Sequence, residues 1–146
     1  MPLLNYTTEI ATDKTISEIQ KCLAAHGASA ILAEYDDESM IASISFQIVL
    51  DSQKIGFKLP SDWRPVLSIL EHSPKVPRRL CTKEQAIRVS WRIIKTWIEA
   101  QMAIVETKMV KLDQVFLPYA VATNGKTLYE YVKASNLLAA PHPSQP

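Results

Sequence analysis

The segment KVPRRLCTKEQAIRVSWRIIK, Lys75 to Lys95, carries seven basic residues against one acid, Glu84. Its second half has helical apolar spacing, and Arg88, Arg92 and Lys95 fall in the first turns of that helix. Cations at a helix start oppose the macrodipole, at roughly a few tenths of a kcal/mol each when exposed. Glu84 can pair with Arg88, and Glu99 with Lys95, at i,i+4 spacing. Arg92 and the loop cations Lys75, Arg78 and Arg79 have no local partner of that kind. A polyanion would account for all of them at once. A helix N-terminus offers free amides to an anion, and the planar guanidinium fork meets phosphate oxygens bidentately. Lys75, Arg78, Arg79, Lys83, Arg88, Arg92 and Lys95 are therefore the candidate nucleic-acid-binding residues. Lys54 and Lys58 join them if their hairpin packs beside the loop. From Lys54 to Lys95 there are ten bases and three acids, the kind of array that contacts a phosphate backbone without reading bases. The alternatives are an ordinary solvated face, or an intramolecular match to the acidic turn Asp36–Asp37–Glu38.

Other chemistries find less. His26, His72 and His142 are scattered, and no Cys or His spacing fits zinc. Three glycines in the whole chain exclude a Gly-rich phosphate cradle or a dinucleotide fingerprint. No Ser or Cys sits in a nucleophile elbow. The YDDES turn places three acids in a row, but adjacent residues on a turn rarely converge on a cation, and no Gly-containing calcium loop surrounds them. His26, next to Gly27 at a helix end, reads as a partner of the C-terminal dipole. Nothing calls for a cofactor or a metal, and the expectation is a protein that is not an enzyme.

The formal net charge of +1 hides a division. Residues 1–51 hold eight acids and two bases, and residues 52–146 hold fourteen bases and seven acids. Such halves fit a polyanion, a homo-oligomer that pairs opposite faces, or a single body whose halves neutralise each other. Cys22 and Cys81 form no spaced pair, and Cys22 lies on an apolar helix stripe as a small hydrophobe. The start MPLLNYTTEIA lacks the pattern of a signal peptide, and no apolar run approaches the ~18 residues a membrane span needs. These features predict a soluble, cytoplasmic protein with reduced thiols and no membrane partner.

The elements that must position the basic segment are legible in outline. Three Thr-x-x-Glu/Gln patterns read as capping boxes: Thr15 with Glu18, Thr82 with Gln85, and Thr127 with Glu130. They predict helices over about 15–26, from Lys83 to about Lys108 or Lys111, and from Leu128 to about Leu138. ASAILAEY predicts a strand. In IASISFQIVL, Ile44, Phe46, Ile48 and Leu50 alternate with Ser43, Ser45 and Gln47, and IGFKLP alternates again, so these two form a hairpin. NYTTEI could add an edge strand. Asp62 or Ser61 caps a short helix that runs to about Glu71, with Pro65 tolerated in its first turn. On the long helix, Ile87, Trp91, Ile94, Ile98, Met102 and Val105 form one stripe, widened by Trp97, so both indoles read as core. The expected fold is α+β: a small antiparallel sheet of three to four strands packed on one face by helices, with a long helix in the C-terminal half. It forms a single domain over 1–139, followed by a flexible Pro-rich tail over 140–146.

The stretch RVSWRIIKTWIEAQMAIVETKMVKLDQVFLPYAVATNGKTLYEYV, Arg88 to Val132, resembles part of an uncharacterised family met in phages and mobile elements. KTISEIQKCLAAHGASAILAEYDD, Lys14 to Asp37, resembles the same family. The resemblance implies a mobile-element setting and carries no activity, ligand or site. Small accessory proteins in such a setting often bind DNA or block host proteins. The α-β-β-β-α order also resembles double-stranded-RNA-binding domains. Their basic cluster opens the helix after the third strand, where this chain reads PSDWRPVLSIL, so the likeness stops at element order. Two expectations follow: a non-catalytic DNA-binding accessory protein, single strands marginally favoured, or a protein-interaction module that inhibits a host factor. A third, weaker one is a metal-dependent enzyme at Asp36, Asp37 and Glu38.

Overall fold

The alternation in Ile44, Phe46 and Ile48 decides the architecture, because it gives the middle strand one face that must be buried. In the computed structural model, which describes residues 2–140, that strand is β2 (Ile41–Leu50). It pairs antiparallel with β1 (Ala30–Tyr35) on one side and β3 (Gln53–Lys58) on the other. Phe46 stands opposite Ile31 and Phe57, so the inner residues of all three strands share one face. The β2–β3 turn is Asp51–Ser52, both at positive φ (49° and 67°). Two such residues form the turn whose twist matches a tight hairpin, usually supplied by Asn-Gly. Beyond β3, Val121 donates its amide to the Gly56 carbonyl at 2.8 Å and Ala120 bridges Phe57, a single step of added edge. The edge strand expected at NYTTEI does not form. Residues 3–8 turn, with Tyr6 and Thr8 bonding back to Leu3 and Asn5, and their carbonyls go to a side chain on the long helix instead.

Helices α1 (Thr12–Ala25) and α3 (Lys83–Glu106) pack together on the inner face. Ile16, Ile19 and Leu23 of α1 and Ile87, Trp91, Ile94, Ile98 and Met102 of α3 join the strand residues in one core. Trp91 is buried and Trp97 packs on Phe116, so both indoles serve the core. Helix α2 (Arg64–His72) packs on α3 through a second, smaller cluster of Leu70, Val76 and Ala86. Helices α4 (Leu112–Phe116) and α5 (Leu128–Ser135) complete the chain. The fold is thus the small α+β arrangement expected, with a helix of 24 residues in its second half. No helix among the described residues is long and apolar enough to cross a membrane. The expected tail falls outside the described residues from Pro141 onward, as does His142.

Two of the three caps form. Thr82 accepts from the Gln85 amide at 3.1 Å and Thr127 from the Glu130 amide at 3.3 Å. Thr15 is not a cap. Helix α1 begins three residues earlier behind Ala11, which carries no side-chain cap bond, and Thr15 is fully buried within the helix. Helix α3 stops at Glu106, short of Lys108, whose φ of 66° turns the chain out of the helix. Helix α5 ends at Ser135, ahead of Leu138, closed by Asn136 at φ 53°.

The far ends of α1 and α3 are joined by His26. Its Nδ1 lies 2.7 Å from the Cys22 carbonyl oxygen and its Nε2 lies 2.7 Å from Glu106 Oε1. Both facing oxygens accept, so the two contacts are complete when both ring nitrogens carry hydrogen. The Glu106 hydrogen bond and the Cys22 carbonyl raise the His26 pKa above its ordinary value, against a smaller opposing effect of burial. A raised folded pKa contributes stability that is complete below the unfolded value, about 6.5, and lost as pH rises through the folded value. The urea midpoint should therefore decline between pH 6 and pH 8, and His26→Gln should flatten that decline. The range stays below the point where the Cys22 thiol, raised chiefly by burial, would add a loss of its own. An unchanged slope in the variant would show that the His26–Glu106 contact contributes nothing.

Candidate nucleic-acid interface

The basic segment is built on an anchored loop. Val76 is buried and Leu80 half-buried in the cluster with Leu70 and Ala86. Successive turns, Val76 to Ser73, Leu80 to Pro77 and Cys81 to Arg78, hold the backbone between them. The 3₁₀ turn Arg78–Leu80 then leads into the Thr82 cap of α3. With Val76 and Leu80 pointing in, Lys75, Arg78 and Arg79 are left exposed.

The seven expected residues do not form one face. Arg92 reaches α1, where its Nη1 donates to Glu18 Oε2 at 2.9 Å and approaches Thr15 Oγ1 at 3.5 Å. Lys95 lies 3.4 Å from the same Glu18 oxygen and also pairs with Glu99. Both side chains are only 17% exposed. Burial alone would push the Glu18 carboxyl up, but hydrogen bonds from Arg92 and Lys95 outweigh it and hold the pKa below the usual range. The Glu99 hydrogen bond raises Lys95 in turn. Lys83 pairs with Glu38 at 3.3 Å and sits over the Trp63 ring at 5.1 Å. Arg92, Lys95 and Lys83 are thus matched by acids from the first half of the chain, and part of the charge division is settled inside the fold. The acidic turn is partly occupied too: Asp36 Oδ1 accepts from the Glu38 and Met40 amides. No group of potential metal ligands gathers among the described residues.

Lys75, Arg78, Arg79 and Arg88 make no ion pair among the described residues. Arg88 is held by a neutral group: its Nε and Nη2 donate to Gln85 Oε1 at 3.0 and 2.8 Å. Gln85, 2% exposed, uses its Nε2 to donate to the Tyr6 and Thr8 carbonyls at 2.9 and 3.0 Å. The N-terminal segment thereby becomes one wall of a cleft of about 370 Å³ that Arg79 and Arg88 share with Thr7, Thr8 and Glu9. Sequence spacing marked Gln85 only as half of a capping box and placed Thr7, Thr8 and Glu9 in an edge strand that does not form. Their one visible sign was a run of polar residues ahead of the first helix. Lys54 and Lys58 stand on the outer sheet face, opposite Val49 and Ser45, and take no part in the cleft.

Comparisons with protein-family models, curated proteins and solved structures gave no match.

Proposed function

We propose that this chain is a non-catalytic accessory protein that contacts nucleic-acid phosphates through Lys75, Arg78, Arg79 and Arg88. The observation that carries the reading is the contrast within one basic segment. Arg92, Lys95 and Lys83 are matched by carboxylates, whereas these four cations project from an anchored loop and the adjoining helix start without one. Cations held by a packed backbone, exposed at Lys75, Arg78 and Arg79 and half-buried at Arg88, suit phosphate contact and carry no means of telling bases apart. Single strands are favoured marginally over duplex. Helix α3 spends its apolar stripe on the core, and its exposed face, Thr96, Glu99, Ala100 and Ala103, carries no cation or amide side chain to read a major groove. The setting in a phage or mobile element rests on the resemblance of Lys14–Asp37 and Arg88–Val132, and a cytoplasmic location on two cysteines, Cys22 and Cys81, that are not joined to each other.

A gel-shift titration against salt tests this. Four phosphate contacts on a single strand give a log–log slope of about −2.8. Arg78→Gln with Arg79→Gln should lower it in magnitude by about 1.4. Binding that ignores salt, or is absent at low salt, overturns the proposal and leaves the second reading, a protein-interaction module or host-factor inhibitor. That reading draws on Leu32 and Val49 of the outer sheet face and Tyr129 and Tyr131 of α5, all more than half exposed.

A further inference from the structure

We infer that the cleft between residues 7–9 and the start of α3 is a subsite for a terminal phosphate monoester, the phosphorylated end of a nucleic-acid strand. The inference rests on the nucleic-acid reading above and adds to it which part of the strand the cleft receives. Arg88 enters the cleft already oriented. Gln85 takes its Nε and one Nη2 hydrogen, and Gln85 is itself fixed by the Tyr6 and Thr8 carbonyls. The Nη1 hydrogens stay free of partners among the described residues, as does the whole Arg79 guanidinium. The Thr8 hydroxyl accepts from the Ile10 amide at 3.2 Å, which leaves its own hydrogen to give, and Thr7 lines the same wall. An internal phosphodiester offers these donors two non-bridging oxygens and a single charge. A monoester offers three terminal oxygens and up to two charges, and two guanidinium forks can take it together.

The cleft has room for such a group, with a volume of about 370 Å³ between the N-terminal segment on one side and Arg79 and α3 on the other. Glu9 works against the dianion. Its carboxylate lines the cleft without an ion pair among the described residues, so it limits affinity, and its neutralisation should raise it.

Fluorescence anisotropy with short single-stranded oligonucleotides tests the inference, the strand carrying a phosphate at its 5′ end, at its 3′ end or at neither. One phosphorylated end should bind about tenfold more tightly than the hydroxyl strand. Arg79→Gln and Arg88→Gln should bring that ratio to about one, and Glu9→Gln should increase it by roughly two- to threefold. Arg79 and Glu9 are exposed and make no fold contacts of this kind, so their variants remain informative if Arg88→Gln unfolds. Equal, salt-sensitive binding of all three strands overturns the terminal-phosphate subsite and leaves the general backbone reading standing. If no strand binds, the backbone reading fails, and inorganic phosphate followed by the NMR signal of Arg88 Nε–H decides the cleft. A saturable shift lost in Arg79→Gln supports an anion subsite, and no shift overturns it.

Discussion

Phe46→Ala should lower the free energy of unfolding by about 3–5 kcal/mol, the cost of truncating a buried aromatic residue that its neighbours cannot close over. Phe46 is 2% exposed at the middle of β2. Its ring stacks on Phe57 at 5.2 Å and 20° and meets Phe116 edge-on at 5.4 Å and 83°. Phe116 in turn meets Trp97 edge-on at 5.5 Å, and Trp97 meets Tyr119 at 5.4 Å. One continuous aromatic line therefore crosses β3, β2, α4, α3 and the turn before residue 120. Removing Phe46 empties the point where the sheet and the α4 segment join, and a domain of this size has only about 5–15 kcal/mol in total. Urea unfolding followed by tryptophan fluorescence reads the loss as a lower midpoint at unchanged slope. Leu32→Ala is the control. Leu32 lies opposite Ser45 on the outer face and is 59% exposed, so its truncation should stay within about 0.5 kcal/mol. A Phe46 loss below about 1 kcal/mol, or equal losses at the two sites, would mean that the two faces are assigned the wrong way round.

That pair of substitutions marks what the amino-acid pattern could reveal. The inner face was legible because Ile44, Phe46 and Ile48 alternate against serines and a glutamine, and a slip of one residue would expose all of them. The α3 stripe was legible for the same kind of reason, at helical spacing. Thr15 was misread because two demands produce one pattern. A Thr three residues before a Glu looks like a capping box. Here Thr15 is buried, and Glu18 faces across to Arg92 from a position 74 residues away in the chain. The same blindness affected the basic segment. Local i,i+4 pairing identified Lys95 with Glu99, offered a Glu84–Arg88 pair that does not form, and could not supply Glu18 for Arg92 or Glu38 for Lys83, because those partners arrive only through the packing of α1 and the β1–β2 turn. Lys75, Arg78 and Arg79 are the cations for which local and tertiary accounts agree. They have no partner nearby in the chain and gain none in the fold among the described residues. Non-local polar contacts were invisible in general, and the Gln85 amide is the clearest instance.

Gln85→Ala should cost about 3 kcal/mol, more than any surface substitution in the chain, because a single buried amide serves four hydrogen bonds. Its Nε2 donates to the Tyr6 and Thr8 carbonyls, and its Oε1 receives Arg88 Nε and Nη2. Truncation leaves two carbonyls and a guanidinium without partners in a partly closed site, and it detaches residues 6–8 from α3. Arg88→Met is the milder comparison. It removes the cation and keeps the two bonds to the carbonyls, so about 1 kcal/mol is expected. Amide hydrogen exchange locates the difference. Protection at Tyr6 and Thr8, whose amides bond to Leu3 and Asn5, should fall in Gln85→Ala and persist in Arg88→Met. A Gln85→Ala loss below about 1 kcal/mol with that protection intact would show that the N-terminal segment is held by something else. Stability and phosphate binding then separate by residue. The amide that secures the segment also aims Arg88, so both should fail together in Gln85→Ala. Arg79 is exposed and makes no ion pair among the described residues, so Arg79→Gln should lose the preference for a terminal phosphate with no change in the urea midpoint.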